Sequence, residues 1–232
     1  MRMRIRYSKQ GLMKFIGHLD MMRYFQKALR RAGIDVTYTE GMSPHMSMSY
    51  AFPLGVGMTS DSEYVDVDLN TPMPPEEMIG RLNESAPEGI HFIKAVQIGI
   101  TKAEKGMNQV ARADYTLSFR EGYEWDTLWK EAFAAFLRRE EILVIKKGKK
   151  TEKEVNIRPL IYQADVSGSE IHLGLAAGNE NNIRPELLME AFAREAGYSC
   201  TPFMFRINRD EVYGDTGNAQ EHAFVPLIDL CL

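Results

Sequence analysis

Cysteine is almost missing from this chain. Cys200 and Cys231 are the two present in 232 residues, too few for a disulfide framework and in keeping with a reducing cytoplasm. Long apolar runs are missing too, so no membrane span is expected. The opening Met-Arg-Met-Arg-Ile-Arg-Tyr alternates charge with bulk and lacks the continuous apolar core of a secretory signal. There is no His-Glu-x-x-His, no Gly-x-Ser-x-Gly and no metal-ligand spacing. Pro53-Leu54-Gly55-Val56-Gly57 is followed by no Gly-Lys-Ser/Thr, so it is not a phosphate loop. A self-sufficient catalytic signature is therefore lacking, and no metal or cofactor is expected.

What is present is an ordinary globular composition, 44% hydrophobic and 26% charged, with an uneven charge distribution. The net charge of −4 argues against a polyanionic partner. Residues 1–31 argue the other way: nine basic groups stand against one acid, Asp20, a net +8 that leaves −12 for the remainder. Such asymmetry signals either a polyanion partner or an internal charge match.

Periodicity predicts the same order of elements twice. Arg2–Tyr7 alternates as a strand, and Leu19, Met22, Phe25, Leu29 and Ala32 mark a helix from His18 to Ala32, stopped by Gly33. Strand patterns follow at Ile34–Thr39, Met46–Phe52 and Tyr64–Leu69. A helix from Pro74 to about Glu84 and a strand at Ile90–Ile98 complete the first half. After a polar linker, Thr101–Gln109, the order returns. A strand around Tyr115–Phe119 precedes a helix over Glu124–Arg139, and Ile142–Lys146 and Ile157–Tyr162 flank a basic turn. Glu170–Leu175, a helix from Pro185 closed by Gly197, and Phe203–Asn208 finish it. The economical fold is α+β: two tandem ferredoxin-like (βαββαβ) units with antiparallel sheets. The expected boundaries are 1–100, 110–214, and an apolar tail, 215–232, packed on the body.

Four clusters could carry function. Arg2, Arg4 and Arg6 share one strand face, where related architectures bind RNA. Asp66 and Asp68 alternate on the natural neighbouring strand, however, and cross-strand pairs worth roughly 0.2–1 kcal/mol each would neutralise the stripe. Pairing is the expectation for most of that face. On the first helix, Arg23, Lys27, Arg30 and Arg31 fall within about 100° of arc opposite the apolar stripe. They suit phosphate groups or a solvated face. The loop Glu40-Gly41-Met42-Ser43-Pro44-His45 offers turn chemistry and a histidine that titrates near neutrality. His45 could meet a ligand, exchange protons or sit idle on the surface, and His18 could be a general base or a helix-start residue. Lys146-Lys147-Gly148-Lys149-Lys150 reads as a solubilising hairpin tip.

Gly17-His18-Leu19-Asp20, Arg30-Arg31-Ala32-Gly33, Glu40-Gly41-Met42-Ser43-Pro44-His45 and Pro53-Leu54-Gly55-Val56-Gly57 together resemble the bacterial radical-SAM-linked proteins. The match covers roughly residues 1–70. Members of that family, whose activity is unassigned, sit beside or are fused behind a radical S-adenosylmethionine enzyme. A proline and a basic residue often follow the family's Ser-Pro-His histidine; Met46 and Ser47 stand here instead. Radical chemistry needs a cysteine triad, which two distant cysteines cannot supply, so the resemblance implies an accessory to a partner enzyme. The tandem architecture also resembles the RNA-processing endonucleases of bacterial repeat-based immunity, at the level of fold alone.

The resulting expectation is a cytoplasmic accessory that binds structured tRNA or rRNA for a radical S-adenosylmethionine enzyme. Arg23, Lys27, Arg30 and Arg31 would grip phosphates, and His18, Ser43 and His45 would line an adjacent loop. The alternatives are a metal-independent RNA endonuclease using His18 or His45, and a pure protein-docking module.

Overall fold

The computed structural model describes residues 1–147, 152–218 and 220–230. The elements begin β1 (Arg2–Lys9), α1 (His18–Arg31), β2 (Met48–Tyr50), β3 (Thr59–Asp68), α2 (Pro75–Glu84), β4 (Ile90–Ile98) and α3 (Gly106–Gln109). They continue with β5 (Val110–Phe119), α4 (Trp129–Leu137), β6 (Leu143–Lys147), β7 (Glu152–Asn156), β8 (Ile161–Ser167) and β9 (Glu170–Ala176). α5 (Pro185–Ala196), β10 (Phe205–Asp215) and β11 (Phe224–Pro226) follow. This is a mixed α+β protein with a large, mostly antiparallel sheet. Among the described residues no helix is long and apolar enough to cross a membrane.

Two compact units share the chain: Met1–Arg112 with Asn208–Leu232, and Ala113–Ile207. In the first, β1 lies between β3 and β4, antiparallel to both, with Arg2 opposite Asp68 and Arg4 opposite Asp66. β2 adds to the far side of β3, placing Ser49 opposite Asp66. β10 joins β3 in parallel at Asn208–Thr59 and Arg209–Ser60, and β11 pairs with β10. Strand alternation then sorts the side chains. Met3, Ile5, Tyr7, Val65 and Val67 enter a core shared with α1 and α2, while Arg2, Arg4, Asp66 and Asp68 take the other face.

Helix α1 buries Met21, Phe25, Ala28 and Leu29. The predicted inward stripe needs correction at its start, because Leu19 is 67% exposed. Two residues before Met21, it points about 200° away from it. The ring of Phe25 is 4.8 Å from Tyr7, 5.5 Å from Tyr50 and 5.6 Å from Phe92, so α1 is seated by edge-on aromatic contacts. Gly33, at φ +64°, ends the helix in a conformation that suits glycine.

Two other predicted elements of the first unit differ, and its tail packs on the body. Ile34–Thr39 is not a strand: it makes only isolated bridges, Val36 to Leu69 and Tyr38 to Met46, because β2 holds the position along β3. The stretch Thr101–Gln109 is no free linker. Its Glu104 carbonyl accepts from Arg4 and its Gly106 N–H donates to Asp66. The tail closes over the same arginine, with the Leu227 carbonyl accepting from Arg4 at 2.9 Å and Leu227 and Ile228 buried.

In the second unit β5 has β9 and β10 as neighbours, with β8 outside β9, and β6 and β7 form a separate two-stranded sheet. The predicted helix over Glu124–Arg139 shortens to α4, leaving Leu128 outside and burying Trp129, Phe133 and Phe136. The predicted strand Ile157–Tyr162 contains instead a 3₁₀ turn at Arg158–Leu160, where proline breaks the ladder. α5 packs Phe192 5.0 Å from Phe133 and ends at Gly197, φ +78°.

Candidate functional site

The arginine face of β1 is matched by carboxylates. Arg2 bonds Asp68 at 2.7 and 3.3 Å, Arg4 bonds Asp66 at 2.8 and 3.3 Å, and Arg6 lies 2.9 Å from Glu211. Two of these are two-pronged guanidinium–carboxylate contacts, the geometry that makes such pairs strong. Arg4 is fully buried, so this part of the positive charge faces no external ligand. Burial pushes the Asp68 carboxyl up, but hydrogen bonds from Arg2 and Ser47 and the charges of Arg2 and Lys105 outweigh it and hold it below the ordinary range. The depressed value means its contribution to stability is complete above the unfolded carboxylate range, ~3.9, and is lost as pH falls through the lower folded value. Acid unfolding of Asp68→Asn should therefore show a shallower loss of stability below that range than the parent; an identical acid limb would contradict the pairing.

Helix α1 keeps its cations outside. Arg23, Lys27, Arg30 and Arg31 are all exposed. Asp20, one turn earlier, sits 2.8 Å from Arg23, an exposed pair that binds weakly in water. Among the described residues, Lys27, Arg30 and Arg31 have no ion pair. The arrangement is a short ridge of positive charge in which Arg23 alone has a carboxylate partner among the described residues.

His18 opens this helix, edge-on to Tyr50 with ring centroids 5.0 Å apart. Partial burial, and after it the charge of Lys9, hold its pKa below the ordinary histidine value. It borders a water-sized cavity of about 10 Å³ with Tyr7, Lys9, Tyr50 and Glu63. Lys9 itself was not anticipated. It is 2% exposed and donates to the Ile16 carbonyl at 2.8 Å; its pKa is lowered by burial, against the pull of Glu63. The signal was available in the alternation, since Lys9 continues the odd-numbered, inward positions of β1. Arg209 completes the cluster, bonding Glu63 at 2.9 Å while lying 4.8 Å over the Phe52 ring.

The loop containing Ser43 and His45 lies elsewhere. Both residues are exposed, and the His45 N–H donates to Thr39 Oγ1 at 3.1 Å while its Nδ1 lies 3.1 Å from the same oxygen. His45 lines a groove with Arg2 and Asp68, whereas His18 stands at the Lys9 end of the same strand. Seven residues of extended chain, on the order of 20 Å, separate those ends. The structure therefore does not bring His18 together with Ser43 and His45, and an acid–base pair of the two histidines is not assembled. In the hairpin tip, Lys146 Nζ donates to the Asn182 carbonyl at 2.9 Å; Gly148, Lys149 and Lys150 lie outside the described residues, as does Cys231.

Residues 2–185 match a protein family, DUF2344, described as "Uncharacterized protein conserved in bacteria". No curated protein matches the sequence. Among solved structures, the fold is similar to a chain in "Crystal Structure of a Cbf5-Nop10-Gar1 Complex", with a TM-score of 0.50 at 9% identity. The alignment covers 90% of this chain and 48% of that one, so the chain spans about half the length of its structural neighbour. At that identity the likeness is one of fold.

Proposed function

We propose that this chain, which belongs to the DUF2344 family of bacterial proteins, is an RNA-binding accessory, with the outer face of α1 as its phosphate-contacting ridge. The observation that carries the reading is the exposure of Arg23, Lys27, Arg30 and Arg31 beside one weak acidic partner, Asp20. Guanidinium and ammonium groups spaced along a helix match the repeat of a phosphate backbone and need no base-specific contact. Structured RNA, such as tRNA or rRNA, offers such a backbone as a fixed surface. The partner in this proposal is a radical S-adenosylmethionine enzyme, which would supply the chemistry while this chain holds the substrate in the cytoplasm. Two tandem ferredoxin-like units are the architecture proposed with it. The first unit's strand order, β2-β3-β1-β4, supports that assignment.

The test is RNA binding measured across a salt series. Converting Arg23, Lys27, Arg30 and Arg31 to Gln removes the charge without placing acids at the helix C-terminus, where the dipole disfavours them. Losing up to four phosphate contacts should flatten the slope of log affinity against log salt by about three units. Thermal unfolding should stay close to that of the parent, because the four side chains pack against little. Unchanged RNA affinity in the quadruple variant overturns the proposal. Recovery of a radical enzyme by the nuclease-treated protein, without RNA binding, would favour the docking alternative instead.

A further inference from the structure

On the sheet face opposite α1, the first unit carries a groove of about 150 Å³, room for on the order of ten water-sized spheres. Its floor is made by the Arg2–Asp68 pair and Asp66, and its walls by Thr39, His45, Ser49 and Lys105. Each of these parts is placed by an element already described. Ser49 is set opposite Asp66 by the β2–β3 register, and Thr39 anchors His45 through two contacts of 3.1 Å. Lys105 stands close enough for its charge to hold down the Asp68 carboxyl.

The groove's acids are already engaged by donors of the protein itself. Asp66 already accepts from Arg4 and, at 2.6 Å, from the Gly106 N–H. Asp68 accepts from both arms of Arg2 and, at 2.5 Å, from the Ser47 hydroxyl. With those carboxylates neutralised by Arg2 and Arg4, the charge left at the surface of the groove is that of Lys105. The remaining polar groups, the His45 imidazole and the Ser49 hydroxyl, can both donate hydrogen bonds. A cation with convergent donors, on a floor whose own charges cancel, is complementary to a compact oxyanion.

We infer that this groove binds a phosphate monoester, with Lys105, His45 and Ser49 contacting the phosphate. The site is separate from the α1 ridge and does not depend on it. A free nucleotide and the 5′-phosphorylated end of an RNA strand present the same group, and the experiment distinguishes them. Binding of AMP, adenosine, and short oligoribonucleotides with 5′-phosphate or 5′-hydroxyl ends should be measured on the full chain by calorimetry and amide NMR shifts. The expected result is binding of AMP or the 5′-phosphorylated strand, with shifts at Ser49 and Lys105, and about tenfold weaker binding in Lys105→Gln. Adenosine and the 5′-hydroxyl strand should fall well behind. AMP alone binding identifies a free nucleotide as the source, and the phosphorylated strand alone identifies an RNA end; either supports the site. The quadruple α1 variant should retain AMP binding, which separates failure of the ridge from failure of the groove. No binding of either phosphate at millimolar concentration, equal binding of adenosine, or full affinity in Lys105→Gln overturns the inference.

Discussion

Asp66→Ala should lower folding stability by about 3–5 kcal/mol, read as a shift in the urea midpoint at constant slope. The side chains of Arg4 and Asp66 are 0% and 2% exposed, and removing the carboxylate strands a guanidinium where water cannot replace the lost partner. A deficit below about 1 kcal/mol would place the pair among ordinary surface ion pairs and contradict the burial described. The double substitution Arg4→Met with Asp66→Leu sharpens the point. Replacing a buried pair by apolar groups is often neutral, but here Arg4 also serves the Leu227 and Glu104 carbonyls and Asp66 the Gly106 N–H. Those three backbone groups would be left without their partners. The double variant should therefore recover only part of the loss.

Phe25→Ala is expected to cost a similar amount, about 3–5 kcal/mol, through lost transfer energy and the cavity left among Tyr7, Tyr50 and Phe92. Leu19→Ala on the same helix should change stability by no more than about 0.5 kcal/mol, because the leucine is largely in water. The ratio of the two effects reads out the rotation of α1 about its axis. Comparable losses at the two positions would mean that Leu19 faces the core and that the cationic ridge is turned from where it is drawn.

Much of the first unit was legible because period two in one strand met period two in another. Arg2 and Arg4 alternate, Asp66 and Asp68 alternate, and the β1–β3 register joins them as the pattern requires. The cationic face of α1 was equally open to reading, since four exposed basic residues need only the helical repeat to be placed. The inward stripe was harder at its end, where Leu19 sits in the first turn and lies beyond the residues that α1 packs on the sheet. β7 was missed because Glu-Lys-Glu-Val-Asn has no apolar alternation; its pairing with β6 makes it a strand. Lys105 fell in a stretch whose polarity reads as linker, and only the bonds from Glu104 and Gly106 to the buried pair show that it folds against the sheet. Arg209 finds Glu63 across 146 residues, a distance at which local pattern carries no information. The separation of His18 from His45 is of the same kind: they are 27 positions apart in a chain that runs down one side of the sheet and returns on the other.

The strand β10 has a consequence for the order in which the protein is made. It begins in the second unit and ends in the first, where it lies parallel to β3 and is followed by the Leu227 carbonyl that Arg4 requires. Synthesis runs from the N-terminus, so β1 leaves the ribosome before β3, β10 and the tail and waits longest for its partners. Residues 113–207 are contiguous and can close while the opening half still has Arg4 incompletely bonded and Ser60 without Arg209 beside it. Contacts of such long sequence separation form late. The first unit to be translated is thus the last to be finished, and nascent chains halted before residue 208 should remain open to protease at β1 and β3.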